Sequence, residues 1–279
     1  MGPRRCFSFS LAVRITARRF PYALSIMAAG MMAACDTTGM RRGTDSILDL
    51  FAEPSPAEAV ELAMDKYDAD KRYRGTLILS TQPFAGEEVY MRLFLDNARD
   101  ADPGVRTVAT RAVGNNGGPE HAAVLIERLT DEDRLVRIEA ARGLQRIHST
   151  AAVDPLIAAI DPEKEPEAAV RSEASDALGQ YAQNKVLEAL ISSLDDTNLA
   201  VNSRTLSSLK ILTGQDFGFD RRAWLDWYKV TRAPFVARSV YTFPAFSREK
   251  QILEYLPFFP QPPNEASTSP VGMELPSGG

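Results

Sequence analysis

Between residues 57 and 212 the apolar positions recur at helical spacing in short blocks separated by polar turns. Four blocks are amphipathic: residues 87–97 (EEVYMRLFLDN), 121–129 (HAAVLIERL), 152–160 (AVDPLIAAI) and 185–194 (KVLEALISSL). Val124, Leu125 and Leu129 share one face of the second block, as do Leu187, Leu190, Ile191 and Leu194 in the fourth, which predicts helices. Each is followed by a turn rich in Asp, Pro or Asn and then by a second helical block of fixed design. An acid is followed, six residues on, by an apolar-Arg pair, with small or apolar residues three, six and seven positions beyond the arginine.

The design is clearest as Asp100…Val105-Arg106 with Ala109, Ala112 and Val113. It returns as Asp131…Val136-Arg137 with Ala140, Gly143 and Leu144, and as Glu165…Val170-Arg171 with Ala174, Ala177 and Leu178. Weaker copies flank these, Asp68 with Arg74 before and Asp196 with Asn202 after. The arginine positions are spaced by 32, 31, 34 and 31 residues. A near-constant period of this length predicts stacked helix pairs, none of which buries its apolar face alone. The expected fold is therefore all-α, an α-solenoid of about five helix pairs over residues 57–212, with Ala109, Ala112, Ala140, Gly143, Ala174 and Ala177 allowing close helix approach.

The unit resembles the HEAT repeat in its short bacterial form. That resemblance implies a ladder in which each turn acid and second-helix arginine bridge successive repeats: Asp68/Arg74, Asp100/Arg106, Asp131/Arg137, Glu165/Arg171 and Asp196/Asn202. Arg rather than Lys suits such forked pairing, and Asn202 fits a terminal copy. The resemblance also implies that second helices line the concave side. Positions two and five after the ladder arginine are expected to point outward as a partner-binding ridge: Arg111, Glu139, Arg142, Glu173, Asp176 and Arg204. Its mixed charge fits a protein partner.

After Leu212, Gly214 predicts a helix end and Asp220 an N-cap for a last helix. Trp224, Trp227 and Tyr228 then fall at i, i+3 and i+4. Residues 212–229 resemble the C-terminal cap of bacterial HEAT proteins, LTGQDFG followed by a Trp-containing helix, so residues 213–232 are expected to cap the stack, with Phe217 and Phe219 joining it. Residues 233–279 hold eight of the 18 prolines, interleaved with aromatics up to Phe259. An extended, partly disordered tail is expected there, with a short helix over 247–256 and the aromatic stretch folding back along the solenoid or docking a partner.

The N-terminus reads as an address. Residues 1–34 hold five arginines and no acid, and residues 22–34 (YALSIMAAGMMAA) form a short apolar run, the pattern of a secretory signal. Met32-Ala33-Ala34-Cys35 resembles the lipobox of bacterial lipoproteins, which implies cleavage before Cys35 and a lipid on its sulfur. Residues 35–56 would then be a tether, and Asp36 after the cysteine implies the outer face of the inner membrane.

Composition narrows the chemistry. The chain has 279 residues, 44% hydrophobic and 25% charged, the profile of a folded protein. Without residues 1–34, 27 basic residues face 37 acidic ones, a poor match for nucleic acid. Two cysteines and two histidines argue against a thiolate or zinc site. Residues 114–118 (GNNGG) read as an inter-repeat turn without the lysine of a phosphate loop, and His121 and His148 as surface residues at helix ends. No cofactor, metal or catalytic residue is expected. The sequence thus points to a membrane-anchored, non-catalytic scaffold that binds a protein partner in the cell envelope. Alternatives are a bilin-lyase-like accessory protein that binds a small molecule, and a purely structural envelope protein.

Overall fold

The structure, a computed structural model, describes residues 54–245, 249–250, 255 and 266–274. The expected signal (1–34), Cys35, nearly all of the tether and most of the expected 247–256 helix lie outside the described residues. Among the described residues eleven α-helices follow one another: α1 Pro56–Ala63, α2 Ala69–Ser80, α3 Glu88–Asn97, α4 Pro103–Asn116, α5 Ala122–Arg128, α6 Arg134–Arg146, α7 Val153–Ala159, α8 Ala168–Leu178, α9 Asn184–Ser193, α10 Leu199–Thr213 and α11 Arg221–Val230. Among the described residues the only sheet-like pairing is one isolated bridge, Ile147 to Val271.

Side-chain caps fix where these helices begin. The Ser55 hydroxyl accepts from the Glu58 amide while Glu58 takes the Ser55 amide, a reciprocal box at α1. Asp68, Asp102, Asp133, Asn198 and Asp220 each accept a backbone amide of the first turn of α2, α4, α6, α10 and α11, donors that would otherwise lack partners. Pro103 sits in the first turn of α4, where its missing N–H is harmless. Gly214 ends α10 with φ 69°, the left-handed conformation that glycine adopts without strain.

The helices pair as α1/α2, α3/α4, α5/α6, α7/α8 and α9/α10, and the second members pack in one unbroken row, α2–α4–α6–α8–α10. The fold is an α-solenoid. Its core is continuous along the stack, from Leu79 and Phe94 through Leu125, Leu156 and Leu190, because each pair offers apolar side chains to both neighbours. Small residues set the spacing of the row. Ala109, Ala112, Ala140, Ala174 and Ala177 are fully buried, and α4 crosses α6 at Gly114 and Gly143. A Cβ on Gly114 would lie 2.6 Å from the Gly143 Cα. Gly114 is thus not in the turn expected over 114–118: α4 continues through Asn116, since glycine is what lets the two backbones meet.

At the far end α11 packs on α9. Trp224 is fully buried, its indole N–H donating to the Gly218 carbonyl at 2.9 Å, with Phe217 edge-on at 5.0 Å. Trp227 and Tyr228 are half-buried against the same cluster, and the Tyr228 hydroxyl donates to Glu188 on α9. Phe219 does not join it; half of its surface is exposed, because Gly218 at φ 57° turns the chain there.

Candidate functional site

Two layers of charge run along the second helices. The inner one is a ladder. Arg106 sets its guanidinium fork on Asp131 of the next repeat at 3.0 and 2.9 Å, Arg137 on Glu165 at 2.7 and 3.0 Å, and Arg171 on Asp196 at 2.7 and 3.1 Å. The spare nitrogen of each arginine donates to the carbonyl of its own repeat's acid, Asp100, Asp131 or Glu165. Each acid also accepts the amide two residues on, as in Asp131 from Asp133 at 3.0 Å. One carboxylate therefore joins its own turn to the preceding repeat. Burial pushes the carboxyls of Asp100, Asp131 and Asp196 up, but the arginine forks and backbone amides outweigh it and hold all three below the usual carboxylate range.

The first rung differs from the expected Asp68/Arg74. Arg72 carries it, reaching Asp100 at 2.7 and 2.8 Å and the Asp65 carbonyl at 3.1 Å, and Asp65 accepts the amides of Tyr67 and Asp68. Asp68 instead caps α2, and Arg74 is exposed. Here the acid lies seven residues before the arginine, not six, so a fixed spacing selects the wrong pair. At the last rung Asn202 donates back to the Asp196 carbonyl at 2.9 Å, and among the described residues its Oδ1 has no hydrogen-bond partner.

The outer layer lies where the ridge was expected. Arg111 forks onto Glu139 at 3.1 and 2.8 Å; Arg142 bridges Glu139 at 3.1 Å and Glu173 at 2.9 Å; Arg204 meets Asp176 at 3.0 Å. The arginine side chains are exposed by two-fifths to a half, whereas the Glu139 and Asp176 side chains are 7% and 9% exposed. Glu139 and Asp176 therefore do not point outward, and Glu173 is largely covered. Each acid lies beneath an arginine because an unpaired buried carboxylate is costly. What this face offers is a row of half-exposed arginine side chains whose charges are already paired.

The chain covers part of this face with its own tail. Past Arg232 the backbone runs back down the stack. The Ser239 amide donates to Ile211 at the end of α10. Tyr241, 2% exposed, donates its hydroxyl to Asp176 Oδ1 on α8 at 2.7 Å. Phe243 lies under the Arg146 guanidinium of α6, 5.1 Å from ring centre to carbon, a cation–π contact. Residues 266–274, expected to be disordered, return beside it. Thr268 accepts the Phe243 amide, Val271 donates to the Arg146 carbonyl at 2.8 Å, and His148 donates to the Val271 carbonyl at 2.9 Å. Open helix ends hold this segment in place.

A cleft of about 470 Å³ remains between this strap and the helix ends, lined among others by His148, Gln180, Tyr181, Arg238, Tyr241 and Glu274. His148 is not a plain surface residue: its ring stacks on Tyr181 at 4.9 Å and its Nδ1 lies 2.9 Å from Gln180 Oε1. Burial raises the Tyr181 phenol to about 12, and its hydroxyl donates to the Ser149 carbonyl at 3.0 Å. His121 Nδ1 accepts the Gly118 amide at 3.0 Å. Among the described residues no group of three His, Cys, Asp or Glu side chains is placed to hold a metal ion, and no helix is long and apolar enough to cross a membrane.

The family model for HEAT repeats matches residues 91–168, from α3 to the start of α8. No curated protein matches the chain. Among solved structures, a designed armadillo repeat protein is 14% identical, covering 66% of this chain and 95% of its own, with a TM-score of 0.47. An engineered protein is 20% identical over 56% of this chain and 78% of its own, with a TM-score of 0.45. The complex of CpcE and CpcF of phycocyanin lyase from Nostoc sp. PCC7120 is 18% identical, covering 62% and 81%, with a TM-score of 0.39.

Proposed function

We propose that this chain is a non-catalytic scaffold, held at the outer face of the inner membrane by a lipid on Cys35, that binds a protein partner along the face of its second helices, with α11 capping the stack. The observation that carries the binding reading is the strap. An extended segment with aromatic anchors already lies on this face, bonded to the ends of α10, α8 and α6. Such a surface accepts extended backbone through helix-end groups and side-chain pockets, the terms on which peptides are recognised. The charged groups of the face are engaged with one another, in keeping with a role in binding. The anchor rests on the sequence around Cys35.

The test is crosslinking and capture from membranes of the native cell, with intact-mass analysis of the purified protein. A mass for residues 35–279 plus acyl chains, together with one reproducible partner, supports the reading. A lipid-free mass beginning elsewhere removes the anchor, and capture without a partner removes the scaffold. A second reading, a small-molecule accessory, draws on the 470 Å³ cleft, a volume within the range of ligand pockets. It requires a ligand that copurifies with the protein.

A further inference from the structure

Two features of the strap's seat are specific to what sits there. The first is the Asp176 carboxylate, which is buried and takes Arg204 on Oδ2 and the Tyr241 hydroxyl on Oδ1. If the hydroxyl is removed, one oxygen of a buried charge loses its donor, a penalty larger than the gain from making the bond. The second is Arg146 at the end of α6, whose guanidinium covers the Phe243 ring two residues further along the strap. Between them Thr242 is exposed and in no regular secondary structure. The seat thus reads a hydroxyl-bearing ring, a spacer and a second ring, in the direction from α10 to α6.

The strap also fills its seat incompletely. Ser239, Val240 and Thr242 are exposed, and the cleft beside Tyr181 and Arg238 stays open. It is tethered to α11 by a short connection, so its advantage is a high local concentration more than a complete interface.

Building on the scaffold reading, we propose that this seat is the partner-binding groove, that its partner presents an extended segment with a tyrosine followed two residues later by an aromatic residue, and that residues 239–243 are a built-in competitor for it. Binding then requires the strap to lift, and the Tyr241–Asp176 contact is the latch.

The probe is a fluorescent peptide with the sequence of residues 237–245 (ARSVYTFPA), titrated against the full chain. The intact chain is expected to leave the peptide free. The Tyr241→Ala chain, with helix content and melting behaviour retained by circular dichroism, is expected to bind it saturably. A Phe version of the peptide should bind at least tenfold more weakly, because a site built for a hydroxyl discriminates strongly against its loss. Should Tyr241→Ala fail to fold, a protease site placed at Ala233 opens the strap of the folded wild-type chain and the same titration applies.

Equal binding to intact and opened chains overturns the competitor; equal binding of the Tyr and Phe peptides overturns the latch; no binding to either opened form overturns the groove. A membrane partner that the peptide competes away supports the proposal, and a partner captured regardless of the peptide shows that the scaffold reading holds through another surface and overturns this one.

Discussion

Arg106 and Asp131 lie in successive repeats, and each does two tasks at once. The arginine forks onto the carboxylate at 3.0 and 2.9 Å while its third nitrogen donates to the Asp100 and Ala101 carbonyls at 3.0 Å. Both side chains are under a tenth exposed. Truncating one partner of such a pair leaves the other charged and buried, at a cost of ~3–5 kcal/mol. Arg106→Ala should therefore lower the melting temperature by roughly 10 °C. Arg106→Lys should fall between the two, since an ammonium cannot fork. Thermal melts followed by circular dichroism read both.

The first rung offers a sharper comparison. Arg72→Ala removes the fork on Asp100 and should destabilise by a few kcal/mol, about as much as Arg106→Ala. Arg74→Ala, two residues away on an exposed side chain, should change stability by less than about 0.5 kcal/mol. Urea titrations of the two variants decide between registers: equal effects would contradict the Asp65/Arg72 assignment.

Strong acid should weaken the ladder. Asp100, Asp131 and Asp196 have folded-state pKa values below the ordinary 3.8. Their stabilisation is present above that value and lost as pH falls through the folded ones. Asp176 has the opposite sign. Burial, only partly offset by Tyr241 and Arg204, raises its pKa above 3.8, so protonation favours the folded state as pH drops toward that raised value. Melting temperature should rise slightly on acidification from neutral pH and then fall steeply below pH ~4. Asp176→Asn should abolish the rise and keep the fall.

Backbone contact at the α4–α6 crossing predicts intolerance of a single methyl. Gly114→Ala would place its Cβ 2.6 Å from the Gly143 Cα, where no side chain can move aside. Helices α4 and α6 must separate, at ~1–3 kcal/mol. Urea denaturation should show the loss. Neither Gly218→Ala, with its positive φ, nor Gly86→Ala, whose Cβ would meet the Asn116 carbonyl at 3.3 Å, is a fair control, so the comparison is with the unaltered chain.

The solenoid was readable because its period is written in residue types that physics constrains: alanine where helices touch, arginine where a carboxylate must be forked, and Asp or Asn where a helix begins. The register of the first rung was hidden by one extra residue between Asp65 and Arg72. A better signal is the acid followed closely by an N-cap residue, as in Asp100/Asp102, Asp131/Asp133 and Asp196/Asn198, a doublet that Asp65/Asp68 keeps with one residue inserted. The ridge misled for a different reason. Position on a helix says which face a charge occupies, but whether it is covered depends on its neighbour. Glu139 lies beneath Arg111 and Arg142, and Asp176 beneath Arg204 and Tyr241. That the aromatic stretch folds back along the solenoid was legible, but its docking site was not: residues 239–243 and Val271 reach the ends of α6, α8 and α10 through long-range contacts that no local pattern encodes.

Site-resolved photo-crosslinking in native membranes tests the central claim most directly. A photoreactive residue is placed at exposed Arg111 on the second-helix face, or at exposed Ala123 on first helix α5. A discrete protein adduct from position 111 and none from position 123 is the predicted result. Adducts from position 123 alone, or equally from both, would contradict a scaffold that binds through its second helices.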